Sequence, residues 1–371
     1  MHANTQVPKF IGAAREFELT GDPYYRNAAQ NFWQEVALHR SYVTGGNSVG
    51  ERFKTPPDVL VPALTDQTQE TCNTYNMLKL TSHLFAWKAE PQYSDYYERA
   101  FLNHILATPN PAQGSPLYYL GMQPGQWKVH FVPFEGFFCC CGTGLENFSK
   151  LGESFYFYNE RALWVNLFFA SEVNWKGKGV VLRQETHFPE ETGTRLIIQT
   201  KSPTEFSLNV RIPYWSDGAT LSINGKPFRP KEKLTPSSYA KIDRTWKNGD
   251  RMEVKLPMRL HLQTIPDDPQ MAAILYGPMV LAGELGAQDL DPQHIYSEDK
   301  ILHGGFSAIT VPELAGDPKA LDKWVQAAGP KPLTFRTVGT GRPEDVTLSP
   351  FYRLFDQRYC VYWRFRPAIE A

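Results

Sequence analysis

The spacing of apolar positions changes part-way along the chain. Before about residue 160 the apolar positions recur three and four apart, the period of a helix packed on one side. Ala28, Ala29, Phe32, Trp33 and Val36 share one such face, on a helix that Asp22 caps and Pro23 opens. Met77, Leu78, Thr81, Leu84 and Phe85 predict a second helix over 72–86. Tyr97, Ala100, Phe101, His104 and Ile105 predict a third over 93–106. A fourth follows three consecutive cysteines at 139–141, with Leu145, Phe148, Leu151 and Phe155 as its expected buried stripe. Between these helices run two long loops, 44–69 and 109–136, rich in Gly, Pro and Asn. Loops of that length are uncommon unless they have a function.

Beyond Ala162 the period shortens to two. Alternating segments at 195–200, 206–212, 220–223 and 252–256 are separated by turn pairs such as Asn224-Gly225 and Asn248-Gly249. This predicts a β-sandwich over 161–286. A polar, Pro-rich stretch then leads into a β-rich C-terminal region, 287–371, ending in the segments at 351–353 and 359–363. The expected fold class is therefore multidomain α + β. Its helical part, 1–160, has too few helices and too long loops for a self-sufficient bundle and reads as part of a larger toroid.

Composition removes several functions. The 371 residues carry 38 Lys+Arg against 39 Asp+Glu, without the concentrated basic face that a nucleic-acid partner needs. No apolar run approaches the ~18 residues that span a bilayer. The first six residues have neither the basic nor the apolar region of a signal peptide. The five cysteines are more informative. Cys72 and Cys360 stand alone and Cys139, Cys140 and Cys141 are adjacent, which is a poor disulfide framework.

Glu70 and Cys72, two apart at a loop-to-helix junction, can reach one ion together, and Cys139 and Cys140 before another helix can complete a tetrahedral site. One carboxylate and three sulfurs would select zinc or a more thiophilic ion over magnesium or calcium. Buried small thiols with no ligand are the competing reading, and the better one for Cys360. A metal-bound thiol is deprotonated, so such a sulfur facing a sugar could act as a nucleophile without a separate base. Retaining glycoside hydrolysis also needs a proton donor, for which Glu51 in the Gly-rich segment 44–53 is the candidate. A solvent-facing ion-pair member beside Arg52 has the same local signature.

These segments, Thr44-Gly-Gly with Gly50-Glu51-Arg-Phe, Glu70-Thr-Cys72-Asn, and Phe138-Cys-Cys-Cys-Gly-Thr-Gly-Leu-Glu-Asn, resemble glycoside hydrolase family 127. So does the C-terminal series Pro350-Phe-Tyr-Arg, Asp356-Gln-Arg-Tyr and Val361-Tyr-Trp. The resemblance implies a retaining β-L-arabinofuranosidase and a partial (α/α)6 barrel, its N-terminal helices missing, followed by β-sandwich or jelly-roll domains. It implies Glu51 as acid/base, Glu70, Cys72, Cys139 and Cys140 as Zn2+ ligands, and Cys139 as nucleophile, with Cys140 the alternative and Cys141 outside the site. His2, Glu98 and Tyr118 match substrate-binding positions; a terminal His, a helix-surface Glu and a packed Tyr are their bland equivalents. The implied partner is an arabinose-containing glycan or glycopeptide, with no nucleic acid and no membrane; a homodimer is open, and the compartment is unassigned because the N-terminus reads as truncated. Pocket histidines of the family's N-terminal half have no counterpart here, and Phe137 stands where some relatives carry His. The alternative function is a truncated, catalytically inactive, zinc-stabilised carbohydrate-binding or structural protein. A thiol redox role lacks a Cys-x-x-Cys motif.

Overall fold

A computed structural model describes residues 1–299 and 309–366. The stretches 300–308 and 367–371, both in the region expected to be β-rich, lie outside the described residues. The chain folds as a mixed α and β protein, helical at its start and β-rich after residue 162. The longer helices are α1 (Ala3–Thr20), α2 (Pro23–His39), α3 (Thr71–Trp87), α4 (Pro91–Asn103) and α5 (Cys139–Ser149). Asp22 caps α2 by accepting from the Tyr24 N–H, with Pro23 at the first helical position. The pattern did not announce α1, whose Pro8 and Gly12 interrupt the apolar period.

Two compact units share the chain. One comprises Met1–Leu84, Tyr96–Ser149 and Leu260–Ala371; the other comprises Phe85–Asp95 and Lys150–Arg259. In the first, α1 packs on α2 through stacked Phe10 and Phe32, with ring centroids 3.9 Å apart. Trp33 of α2 is buried and its indole N–H donates to Thr81 of α3 at 2.8 Å. The 44–48 turn threads between these elements. Gly45, at φ +85, sits so close to α4 that a Cβ would lie 2.6 Å from Ala100, and only glycine fits there.

An eight-stranded sheet supports the loops of this unit. The strands Leu260–Ile265, Asp268–Tyr276 and Met279–Glu284 pair in sequence, and the last continues onto Thr347–Pro350. Tyr359–Cys360 and Tyr362–Arg364 add to the same strands. Alternation along Asp268–Tyr276 sends Met271, Ala273 and Leu275 toward Tyr42, Leu117, Leu120 and Phe351, and Ala272 and Ile274 toward Trp324, Leu348 and Trp363. Both faces are thus buried. Phe351–Arg353, expected as strand, is one turn of 3-10 helix that inserts the Phe351 ring into the first of these cores.

The second unit contains a four-stranded sheet (Ser238–Trp246, Thr204–Ile212, Ala162–Val165, Tyr156–Tyr158) and a six-stranded one. The six-stranded order runs Ser171–Trp175, Val180–Glu185, Thr194–Thr200, Arg251–Lys255, Thr220–Ile223 and Lys226–Phe228. Trp175 of the second sheet meets Phe206 and Tyr158 of the first, at 5.4 and 5.7 Å between ring centroids. Each strand predicted by alternation is present within two residues, and Asn224-Gly225 turns with both residues at positive φ.

One packing expectation fails. Of the stripe expected on the fourth helix, Leu145 is 72% and Phe148 37% exposed, while Leu151 and the buried Phe155 lie beyond the helix, which ends at Ser149. The helix itself forms, but among the described residues nothing covers that face, so periodicity located the helix and misplaced its environment.

Candidate metal centre and active site

Two helix starts deliver the donor atoms. Glu70 immediately precedes α3, tied by a β-bridge to Tyr119, and Cys72 lies in the first turn of α3. Cys139 and Cys140 open α5. A helix start presents unpaired N–H groups and the positive end of the dipole, both of which favour thiolate over thiol. The ligand atoms of Glu70, Cys72, Cys139 and Cys140 all lie within 4.8 Å of one another. Cys140 Sγ is 3.3 Å from Cys72 Sγ, and Cys139 Sγ is 3.8 Å from Glu70 Oε1. A tetrahedron with arms of ~2.3 Å has edges of about 3.8 Å, so the donors stand near the spacing that a four-coordinate ion imposes.

Electrostatics points the same way. Glu70 Oε1 accepts from Asn4 Nδ2 at 3.0 Å, while Oε2 is buried without a hydrogen-bond partner among the described residues. Burial, and then the charge on Cys139, push the Glu70 carboxyl up to about 8. Contacts with the Cys140 and Cys72 sulfurs hold the Cys139 thiol far below its ordinary value. Cys72 is pushed up, first by its hydrogen bond to Cys139, and Cys140 is pushed up by burial. Within the cluster Cys139 is thus the sulfur favoured as thiolate, while Glu70, Cys72 and Cys140 are held toward their protonated forms. A surplus of buried anionic donors and an orphaned carboxylate oxygen fit a divalent ion that tolerates sulfur.

Exposure separates the four ligands. Glu70 and Cys72 are 1% exposed and Cys140 is fully buried, but Cys139 is open to solvent. Cys141 stands outside the cluster, its Sγ 3.9 Å from the Gly136 carbonyl.

Beside Cys139 lies a second acid. Tyr118 donates from its hydroxyl to Glu51 Oε1 at 2.5 Å, and the Tyr118 hydroxyl oxygen is 3.6 Å from Cys139 Sγ. Burial, reinforced by that bond to Glu51, pushes the Tyr118 hydroxyl up, so it stays protonated as a donor. The two legs place sulfur and carboxylate no farther apart than about 6 Å. Glu51 Oε2 faces His2 Nε2 at 3.6 Å. His2 caps α1 by accepting the Thr5 N–H on Nδ1, which leaves its proton on Nε2, toward Glu51. Glu51 itself sits at φ +64 and Gln69, next to Glu70, at φ +62, two non-glycine residues in the left-handed region flanking one cluster.

Of the residues singled out from sequence, the structure brings together Glu51, Tyr118, His2, Glu70, Cys72, Cys139 and Cys140. Glu98 is 1% exposed within α4, which rules out the helix-surface reading. Asn4, the Glu70 partner, and Thr143, 3.0 Å from Cys72 Sγ, were missed. Thr143 was within reach, lying one helical turn past Cys139; Asn4, 66 residues from its partner, gave no local signal.

Comparison with known proteins follows the same division. The profile of the β-L-arabinofuranosidase GH127 catalytic domain matches residues 1–153, and that of the GH127 middle domain matches 162–258. The chain belongs to glycoside hydrolase family 127. A domain of unknown function matches residues 261–365 of this GH127 chain. It is 25% identical, over 391 aligned positions, to a non-reducing end β-L-arabinofuranosidase of Bifidobacterium longum subsp. longum, covering 92% of this chain and 55% of the relative. A GH127 β-L-arabinofuranosidase from Geobacillus stearothermophilus T6 shares the fold at a TM-score of 0.71, with 21% identity over 98% of this chain and 60% of that one. Another solved GH127 β-arabinofuranosidase gives 0.73, at 21% identity and the same coverage. The GH127 chain thus spans little more than half the length of its curated relative. No helix among the described residues is long and apolar enough to cross a membrane.

Proposed function

We propose that this chain carries the reaction centre of a retaining glycosidase that releases terminal β-L-arabinofuranose from a glycan or glycopeptide. Its helices belong to an (α/α)6 barrel, and the two sheets of its middle region form a β-sandwich. The observation that carries the reading is the exposure of Cys139 in an otherwise buried ligand set, next to a carboxylic acid. A site built only to brace the fold has no reason to open one thiol to solvent beside Glu51.

Glu70, Cys72, Cys139 and Cys140 would hold zinc, which when bound keeps the three sulfurs as thiolates. The Cys139 sulfur attacks the anomeric carbon and forms a thioglycosyl bond as the bond to the leaving oxygen breaks. Glu51 gives its proton to that oxygen. Glu51 then takes a proton from the water that attacks the same carbon, and the sulfur departs as thiolate with net retention. The separation of sulfur and Glu51 carboxylate suits this course, since retaining glycosidases hold their two groups about 5–5.5 Å apart. Tyr118 orients Glu51, and His2 offers Nε2–H to its second oxygen or to a sugar hydroxyl. Glu98 is assigned to a sugar hydroxyl.

The test is turnover of an aryl β-L-arabinofuranoside, with mass spectrometry of the peptide bearing Cys139 after rapid acid quench. The reading expects one anhydropentose on Cys139 and no turnover in Cys139→Ala. Full turnover in that variant, with none in Cys140→Ala, would move the nucleophile to Cys140.

A further inference from the structure

We propose that Thr143 is a positioning residue of the metal centre: its hydroxyl donates to the Cys72 sulfur and makes it the anchoring ligand beside the reacting Cys139. The proposal rests on the metal and nucleophile reading given above. Thr143 lies on α5, one helical turn past Cys139, with its Oγ1 3.0 Å from Cys72 Sγ. A threonine inside a helix ordinarily bonds the carbonyl four residues back. Here that carbonyl belongs to Cys139 and is 3.4 Å away, outside the range of roughly 2.5–3.0 Å for an O–H···O bond. Sulfur is larger than oxygen, so 3.0 Å to sulfur is the tighter contact, and the hydroxyl serves Cys72 before its own helix.

Both helix starts are seated on one segment, 116–118, which builds this contact into the fold. On α3, the Thr71 N–H donates to the Tyr118 carbonyl at 3.0 Å and the Thr71 hydroxyl to the Leu117 carbonyl at 3.0 Å. On α5, Gly144 packs so near Pro116 that a side chain there would put its Cβ 2.6 Å from the Pro116 Cβ. Cys72 directly follows the first of these anchors and Thr143 directly precedes the second. Their side chains meet where the two helix starts converge.

Charge explains why a donor belongs at this sulfur. A metal-bound thiol has lost its proton, so in the loaded centre the hydroxyl is the donor. The Cys72 and Cys140 sulfurs are both buried and 3.3 Å apart, a distance at which two thiolates repel. A hydrogen bond to Cys72 draws charge away from that pair, and bonds made to a ligand from outside the coordination set govern how firmly it holds the ion. The solvent-exposed Cys139 sulfur is placed differently. The hydroxyl beside it, Tyr118, stands 3.6 Å away and gives its proton to Glu51. The close hydroxyl donor is therefore on a buried sulfur, and the accessible one keeps its charge for the sugar.

Cobalt substitution reads the sulfurs directly. The full chain, stripped of metal and loaded with Co2+, is compared as wild type, Thr143→Val and Thr143→Ser. Valine keeps the shape without the hydroxyl; serine keeps the hydroxyl without the methyl. The proposal expects the sulfur-to-cobalt charge-transfer band to move to longer wavelength in Thr143→Val, because a sulfur without its hydrogen bond gives up electron density more readily. The band should return in Thr143→Ser. Zinc affinity in chelator competition should fall about 10–100-fold in Thr143→Val and recover in Thr143→Ser. Thr143→Ala, which cannot crowd the helix, should match Thr143→Val, and circular dichroism verifies that each variant is folded. Wild-type band and affinity in the folded Val and Ala variants overturn the proposal and leave the metal centre standing, even if the melting temperature falls. A wild-type protein with no such band overturns the metal reading and the proposal with it. Neither readout needs turnover, so a shifted band in a chain that hydrolyses nothing supports the role of Thr143 and overturns the glycosidase.

Discussion

Two buried polar clusters in this molecule look alike in composition and differ in how they are satisfied. Around Asp95, Arg211 Nη1 reaches Oδ1 at 2.6 Å, Ser237 donates to Oδ2 at 2.5 Å, and the Tyr214 N–H adds a third bond at 3.3 Å. The remaining Arg211 Nε donates to the Asn166 carbonyl at 2.6 Å. The charges cancel, and each of these bonds comes from the chain itself. Around Glu70, four anionic or acidic donors converge, and among the described residues Oε2 has no hydrogen-bond partner. Burying charge without compensation is expensive, so the second cluster makes sense only with something added from outside. A self-satisfied cluster reads as structure; one that its own chain leaves incomplete reads as a site.

The comparison breaks most sharply at Cys139. Cys139→Ala should lower turnover of an aryl β-L-arabinofuranoside by a factor on the order of 1,000,000, the scale on which removing a nucleophile acts, while the protein stays folded. Asp95→Ala should do the converse. It takes the carboxylate away from buried Arg211, costing about 3–5 kcal/mol in denaturant unfolding, while the metal content per folded chain stays the same. If Asp95→Ala emptied the metal site and Cys139→Ala unfolded the protein, the distinction would be lost.

Smaller effects refine it. Asn4→Ala removes the bond that orients Glu70 and should weaken metal affinity about 10–100-fold in chelator competition, the usual scale for a residue supporting a ligand. Buried histidines provide a third kind of polar group, kept neutral rather than paired. Burial, helped by Lys128, lowers both His104 and His130 to about 3. The unfolded chain binds protons at these positions from about pH 6.5 downward and the folded chain does not. Their contribution is therefore whole above pH 6.5 and shrinks as pH falls toward 3, by up to ~1.4 kcal/mol per pH unit per histidine. Unfolding free energies between pH 7 and 5 measure the slope, and His104→Gln should flatten it.

Much of the fold could be read from the chain because its determinants are local. Asp22-Pro23 opens α2 and Asn224-Gly225 turns a hairpin through contacts within a few residues. Spacing suggested the ligand set and family likeness matched it, and the long loops 44–69 and 109–136 were suspected from length alone; they hold Glu51, Gln69 and Tyr118. What escaped depends on distant partners. The exposure of Leu145 and Phe148 is decided by what does or does not pack there, and the pairing of 260–284 with the chain's end by register across some 80 residues. The left-handed backbone at Glu51 and Phe134 has no sequence signature, since neither residue favours it.

Metal analysis of the purified protein addresses the incomplete cluster directly. Convergence of Glu70, Cys72, Cys139 and Cys140 predicts about one zinc per chain, retained through gel filtration, and a fall to near zero in a folded Cys72→Ala variant. A folded wild-type protein that carries no metal after zinc loading, with its thiols at 72, 139 and 140 free to react with a thiol reagent, would contradict the account.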